Sequence, residues 1–89
     1  MKVLNLRDNP DTTNAVLIDR RTKWGNPFII GRDGTRDECC DKYRVYLRNN
    51  QELLDALSEL VGYDLLCWCI PLRCHGYEII EVMEERGLV

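Results

Sequence analysis

The sequence predicts a small α/β domain, a single-layer sheet of about three strands with helices packed on it in the order β-β-α-α-β-α. Three observations carry this expectation. The run Asp64–Ile70, DLLCWCI, is apolar, of strand length, and closed by Pro71. From Arg36 to Gly62 apolar residues recur at helical spacing in two blocks. Two short β-prone runs, Val3–Leu6 and Ala15–Asp19, precede those blocks. With 89 residues, the chain makes one domain spanning 1–89.

The first strand stops at the turn signal Asp8-Asn9-Pro10-Asp11. The second leads to Trp24-Gly25-Asn26-Pro27-Phe28-Ile29-Ile30 and then to a turn, Gly31-Arg32-Asp33-Gly34. Thr35 with Glu38 three residues on forms a capping box, so a helix is expected from about Arg36 to Arg48. Its inner face would carry Cys39 or Cys40, Tyr43, Tyr46 and Leu47. Asn49 followed by Glu52 repeats the cap signal for a second amphipathic helix, which Gly62 is placed to end. The last helix is expected to start near His75, bury Ile79, Ile80 and Met83, and finish at Gly87.

Composition is that of an ordinary globular chain, 45% hydrophobic and 30% charged. No apolar run approaches the roughly 20 residues needed to span a bilayer, and the start does not read as a signal peptide. With five cysteines, an odd number, reduced thiols in the cytoplasm are the expectation. The net charge of −3 is unevenly spread. Residues 1–36 hold seven Lys and Arg against four Asp, whereas residues 37–89 hold five against eleven acids. The overall negative balance disfavours broad attachment to nucleic acid. The cluster Arg20, Arg21, Lys23, Arg32 and Arg36 around one loop suits a small anion better.

The segment Cys67-Trp68-Cys69-Ile70-Pro71-Leu72-Arg73-Cys74-His75-Gly76 concentrates the chain's chemistry. On an extended strand Cys67 and Cys69 share one face, and Cys74 and His75 fall where the last helix begins. Ligands of open α/β sheets bind beyond the carboxyl ends of the strands, near helix N-termini that offer free N–H groups. Three readings follow. The cysteines can be small buried apolar residues. Cys67, Cys69, Cys74 and His75 can be counted as four zinc ligands, although the spacing lacks the usual CxxC knuckle. Cys69, Cys74 and His75 can line a pocket as hydrogen-bonding, nucleophilic or acid/base groups.

The loop Trp24-Gly25-Asn26-Pro27-Phe28 is stiff, because Asn26 before proline is held extended and Pro27 has no donor. It reads either as an aromatic-anchored core loop or as a platform for a planar ring. In the second case Asn26 would read the ring's polar edge and the arginines would meet phosphate. Together the segments Ile18-Asp19-Arg20, Trp24–Phe28, Tyr43 and Leu66–Gly76 resemble domain-of-unknown-function family 4326, small bacterial and bacteriophage proteins. The resemblance implies that the two motifs form one site or one junction, in a domain distantly similar to Rossmann-like folds. Asp19 stands where that family's motif carries glycine, and Cys39 and Cys40 match no motif position.

The expected function is binding of a nucleotide-like anionic small molecule, for sequestration or processing, in a pocket shared by the two motifs. The expected ligand-binding residues are Arg20, Trp24, Asn26, Phe28, Arg32, Cys69, Cys74 and His75, with Arg21 a further candidate for phosphate. This reading requires no cofactor; zinc belongs only to the four-ligand alternative, a metal-stapled interaction module. A third alternative is a nucleophilic enzyme using Cys69 or Cys74 with His75 as base, Cys69–His75 being the better-spaced pair. A homodimer interface could complete so small a pocket. Trp24 and His75 would meet only if the second and third strands are parallel neighbours.

Overall fold

The computed structural model describes residues 1–89. Its sheet has three strands, β1 (Val3–Asn5), β2 (Ala15–Leu17) and β3 (Asp64–Cys67), in the order β1-β3-β2. Both neighbours pair parallel to β3, with Val3 and Val16 each opposite Leu65. All three carboxyl ends therefore open on one edge. The second and third strands are parallel neighbours, the pairing on which a shared site depends.

β3 ends at Cys67 rather than Ile70. Its partners run out: β1 passes into a 3-10 turn at Leu6–Asp8, and β2 stops at Leu17. The last bonds to the strand include Ile18 N–H donating to the Leu66 carbonyl at 2.9 Å. From Trp68 onward the chain is free to fold into a turn.

Three helices complete the fold, α1 (Arg36–Arg48), α2 (Gln51–Ala56) and α3 (His75–Glu85), with a 3-10 turn at Leu57–Leu60 after α2. The capping box forms as the sequence predicts: Thr35 Oγ1 accepts from Glu38 N–H, and Glu38 Oε1 accepts from Thr35 N–H. The second cap falls one residue later than expected. Asn49 is taken as the C-cap of α1, its N–H bonded to the Leu47 and Val45 carbonyls, so Asn50 caps α2 through Leu53 N–H. α3 starts on Cys74 as N-cap and buries Ile79, Val82 and Met83. Burial of such a side chain stabilises by about 1.5–3 kcal/mol.

α1 and α3 pack against each other, and the core between helices and sheet holds Ile18, Trp24, Tyr43, Leu47, Leu57, Leu65, Ile79 and Met83. Gly76 lets α3 sit directly on the sheet. A Cβ there would lie 2.9 Å from Ile18 Cδ1 and 3.0 Å from Val3 Cγ2. This contact fixes the start of α3 against β1 and the residue that follows β2.

Candidate functional site

At the carboxyl edge of the sheet lies a cavity of about 170 Å³. One wall is the loop after β2, contributing Asp19, Arg20, Asn26, Phe28 and Ile30. A second is the first turn of α1, with Arg36, Cys39 and Cys40. The third is the end of β3 and the turn after it, with Cys67, Trp68, Cys69, Arg73, Cys74 and His75. The two sequence motifs thus share one cavity.

The turn 68–74 is held from three sides. Asn5 Nδ2, at the end of β1, donates to the Ile70 carbonyl at 2.5 Å. Arg36 Nη1 donates to the Arg73 carbonyl at 3.2 Å. The Arg73 guanidinium spans Asp37, Asp41 and the buried Glu78, and Glu78 also accepts from Arg44 of α1. These carboxylates, Glu78 first, hold Arg73 well above the usual guanidinium range.

Trp24 does not line the cavity. Only 3% of it is exposed, and its ring belongs to the core, where no ligand can stack on it. Its carbonyl is the part that serves the site: it accepts from Tyr43 Oη at 2.9 Å and from His75 Nε2 at 3.1 Å. The exposed aromatic at the cavity is Trp68, 44% exposed. Its indole Nε1 donates to Asp19 Oδ2 at 3.1 Å. Asp19 also takes two bonds from the Arg21 guanidinium, and mainly for that reason its carboxyl titrates low, at about 2. Asp19 thus anchors the cavity's aromatic wall.

Asn26 is consumed by the loop itself. Its Oδ1 accepts from Phe28 N–H at 2.9 Å and its Nδ2 donates to the Cys39 carbonyl at 3.3 Å, so its amide ties the loop to α1 while the residue lines the cavity. Arg20 lines the cavity while donating to the Asn26 and Phe28 carbonyls. Arg32 lies outside it, paired with Asp33, because the turn 31–34 directs it to solvent. Phe28 stays at the wall, edge-on to Tyr46 with ring centres 6.2 Å apart.

His75 is 8% exposed. Nε2 faces two carbonyl oxygens, Ile18 at 2.8 Å and Trp24 at 3.1 Å, so it must carry the proton, and Nδ1 holds the lone pair. Burial keeps the ring neutral by lowering its pKa. Its main work is to tie the end of β2 to the Trp24 loop. The thiol beside its Nδ1 is Cys74, with Sγ at 3.7 Å, rather than the better-spaced Cys69.

The Sγ atoms of Cys67, Cys69 and Cys74 lie within 4.8 Å of one another, and His75 is not part of this group. The four-ligand zinc reading therefore loses its histidine, since neither ring nitrogen lies among the three sulfurs. Within the group the neighbouring Cys74 thiol and the N–H groups of Cys69 and Ile70 lower the pKa of the Cys67 thiol, while the Cys67 sulfur and burial raise that of Cys74. Burial raises Cys40 to about 11. Cys39 and Cys40 also line the cavity, so all five cysteines of the chain meet there, a convergence that helix-face periodicity alone does not reveal.

Comparison with known proteins gives the chain its kinship. It is 32% identical over 69 residues to an uncharacterized protein, R718, of Acanthamoeba polyphaga mimivirus, a match covering 68% of this chain and 52% of the relative. The chain thus spans about half the length of that curated relative. No solved structure matches it. Residues 4–85 match the family described as domain of unknown function (DUF4326), and the chain belongs to that family.

Proposed function

We propose that the chain binds a small anionic, ring-bearing molecule of the nucleotide type in the cavity at the carboxyl edge of the sheet. The observation that carries this reading is the meeting of Trp68 and Phe28 with Arg20 and Arg36 around one cavity. Aromatic walls offer a ring a stacking surface, and arginine forks suit phosphate or carboxylate. The site's place beyond parallel strand ends agrees with where such folds bind ligands.

Size narrows the ligand. About 170 Å³ is smaller than the roughly 300–1,000 Å³ of sites that enclose a drug-sized molecule. A single ring or an anionic head group fits inside, and the remainder lies along exposed Trp68 and Ile30 at the mouth. Cys69 and Cys74 also line this cavity.

The test is a thermal-shift panel of nucleoside monophosphates, nucleoside diphosphates, nucleosides and inorganic phosphate. A ligand at a hundred times its Kd adds about 2.7 kcal/mol, a Tm rise of about 10 °C or more for a domain this small. At least one nucleotide is expected to give such a rise, and Trp68→Ala to weaken that ligand by about 5-fold or more, the worth of one stacked base. A panel without any response, or an equal response in Trp68→Ala, overturns the reading.

A further inference from the structure

The sulfur atoms of Cys67, Cys69 and Cys74 come from three different pieces of backbone: the last residue of β3, the turn, and the N-cap of α3. Three points no more than 4.8 Å apart always leave a position within about 2.8 Å of all three. A zinc–thiolate bond is about 2.3 Å, which in tetrahedral geometry puts sulfurs about 3.8 Å apart. Each sulfur therefore needs to move inward by at most about 0.6 Å, within reach of a small χ1 adjustment.

The surroundings set the kind of ion. All three donors are soft sulfurs, which select zinc or monovalent copper over magnesium or calcium. His75 stands outside the triangle, with Nε2 held by two carbonyls and Nδ1 beside Cys74 alone. Cys39 and Cys40 line the cavity but stand outside the triangle. We propose that Cys67, Cys69 and Cys74 form a three-thiolate site for a thiophilic cation of the zinc class, with the fourth coordination position open to the cavity. An exogenous donor, water in the simplest case, completes the coordination there. Three protein ligands with one open position is the arrangement of catalytic rather than closed structural zinc. The thiol triangle alone carries this proposal, which does not rest on the anionic ligand.

Reduced protein stripped with a chelator is titrated with Zn²⁺ against a competing chelating dye, and separately with Cd²⁺ while the thiolate-to-cadmium absorption band is followed. The expected result is one ion per chain and a band of three-thiolate intensity. Cys69 is the least buried of the three, so Cys69→Ser is the variant best placed to fold. It is expected to weaken zinc at least about tenfold, while Asp55→Asn, exposed on α2 away from the cavity, leaves affinity unchanged. Should Cys74→Ser fail to fold, Cys69→Ser and the cadmium band still decide. Less than one ion per chain, a band of fewer than three thiolates, or unaltered affinity in Cys69→Ser overturns the proposal. Running the nucleotide panel on the metal-free protein separates the two claims. A nucleotide response without zinc binding removes only the metal site, and zinc binding without a nucleotide response removes only the anionic ligand.

Discussion

Alanine at Gly25 would place its Cβ 2.6 Å from Arg20 Cα, 2.7 Å from the Asp19 carbonyl oxygen and 2.9 Å from Arg20 N. Favourable carbon contacts lie near 3.5–4.0 Å, and all three neighbours are backbone, so no side-chain rotation relieves the overlap. The loop must shift by about 1 Å against the end of β2. That shift strains the Gly25 N–H bond to the Thr22 carbonyl, 3.1 Å, and the Arg20 bond to the Asn26 carbonyl, 3.2 Å. Overpacking costs about 1–3 kcal/mol and each weakened hydrogen bond about 1, for a total of at least about 3 kcal/mol. With a urea m-value of about 1 kcal/mol/M, the unfolding midpoint falls by about 3 M. The control is Gly31→Ala. Gly31 has φ +91°, and a Cβ there meets nothing within 4 Å, so only backbone strain of about 1–2 kcal/mol applies. If Gly25→Ala costs less than Gly31→Ala in urea unfolding, the close approach does not hold the loop.

His75→Phe removes the donor that serves the Ile18 and Trp24 carbonyls, leaving the Ile18 oxygen unpaired and the Trp24 oxygen with Tyr43 Oη alone. A loss of about 2–4 kcal/mol is expected by urea unfolding, and a change below about 0.5 would contradict the tie. The same residue sets a pH dependence. Burial lowers the folded pKa of His75, so as pH falls below about 6.5 the unfolded chain takes up a proton the native state refuses. Its contribution to stability is present above that pH and declines as pH drops. Midpoints measured between pH 7.5 and 5.5 should show this slope in the wild type and lose it in His75→Phe. Glu78→Gln leaves Arg44 and Arg73 without their shared buried carboxylate, so a loss of about 3 kcal/mol is expected, and a neutral result in the same assay would refute the network's role.

The sequence carries much of the fold in local signals. Thr35 and Glu38 declare the start of α1, and the apolar run into Pro71 locates the central strand. Other features depend on what meets across the molecule. Nothing in the two motifs says that Trp24 is core and Trp68 the exposed wall, since each sits in a short stretch without periodicity. Pairing length decides it: β3 loses its partners at Cys67, so Trp68 turns outward toward Asp19. Asn26 looked free to read a ligand, yet the backbone N–H of Phe28 and the Cys39 carbonyl claim both ends of its amide. One of Cys39 and Cys40 is legible as an inner-face helix position, but that both line the cavity becomes visible only once α1 is set against the cysteine turn.

The most direct test of the central claim, that the cavity between the two motifs holds an anionic ring-bearing ligand, is amide chemical-shift mapping of the ¹⁵N-labelled chain. The nucleotide with the largest thermal shift is the titrant. The account predicts perturbations concentrated at residues 19–30, 36–40 and 67–76, the three stretches around the cavity. Perturbations centred instead on α2, on the 3-10 turn Leu57–Leu60 or on the C-terminal residues after α3 would contradict it.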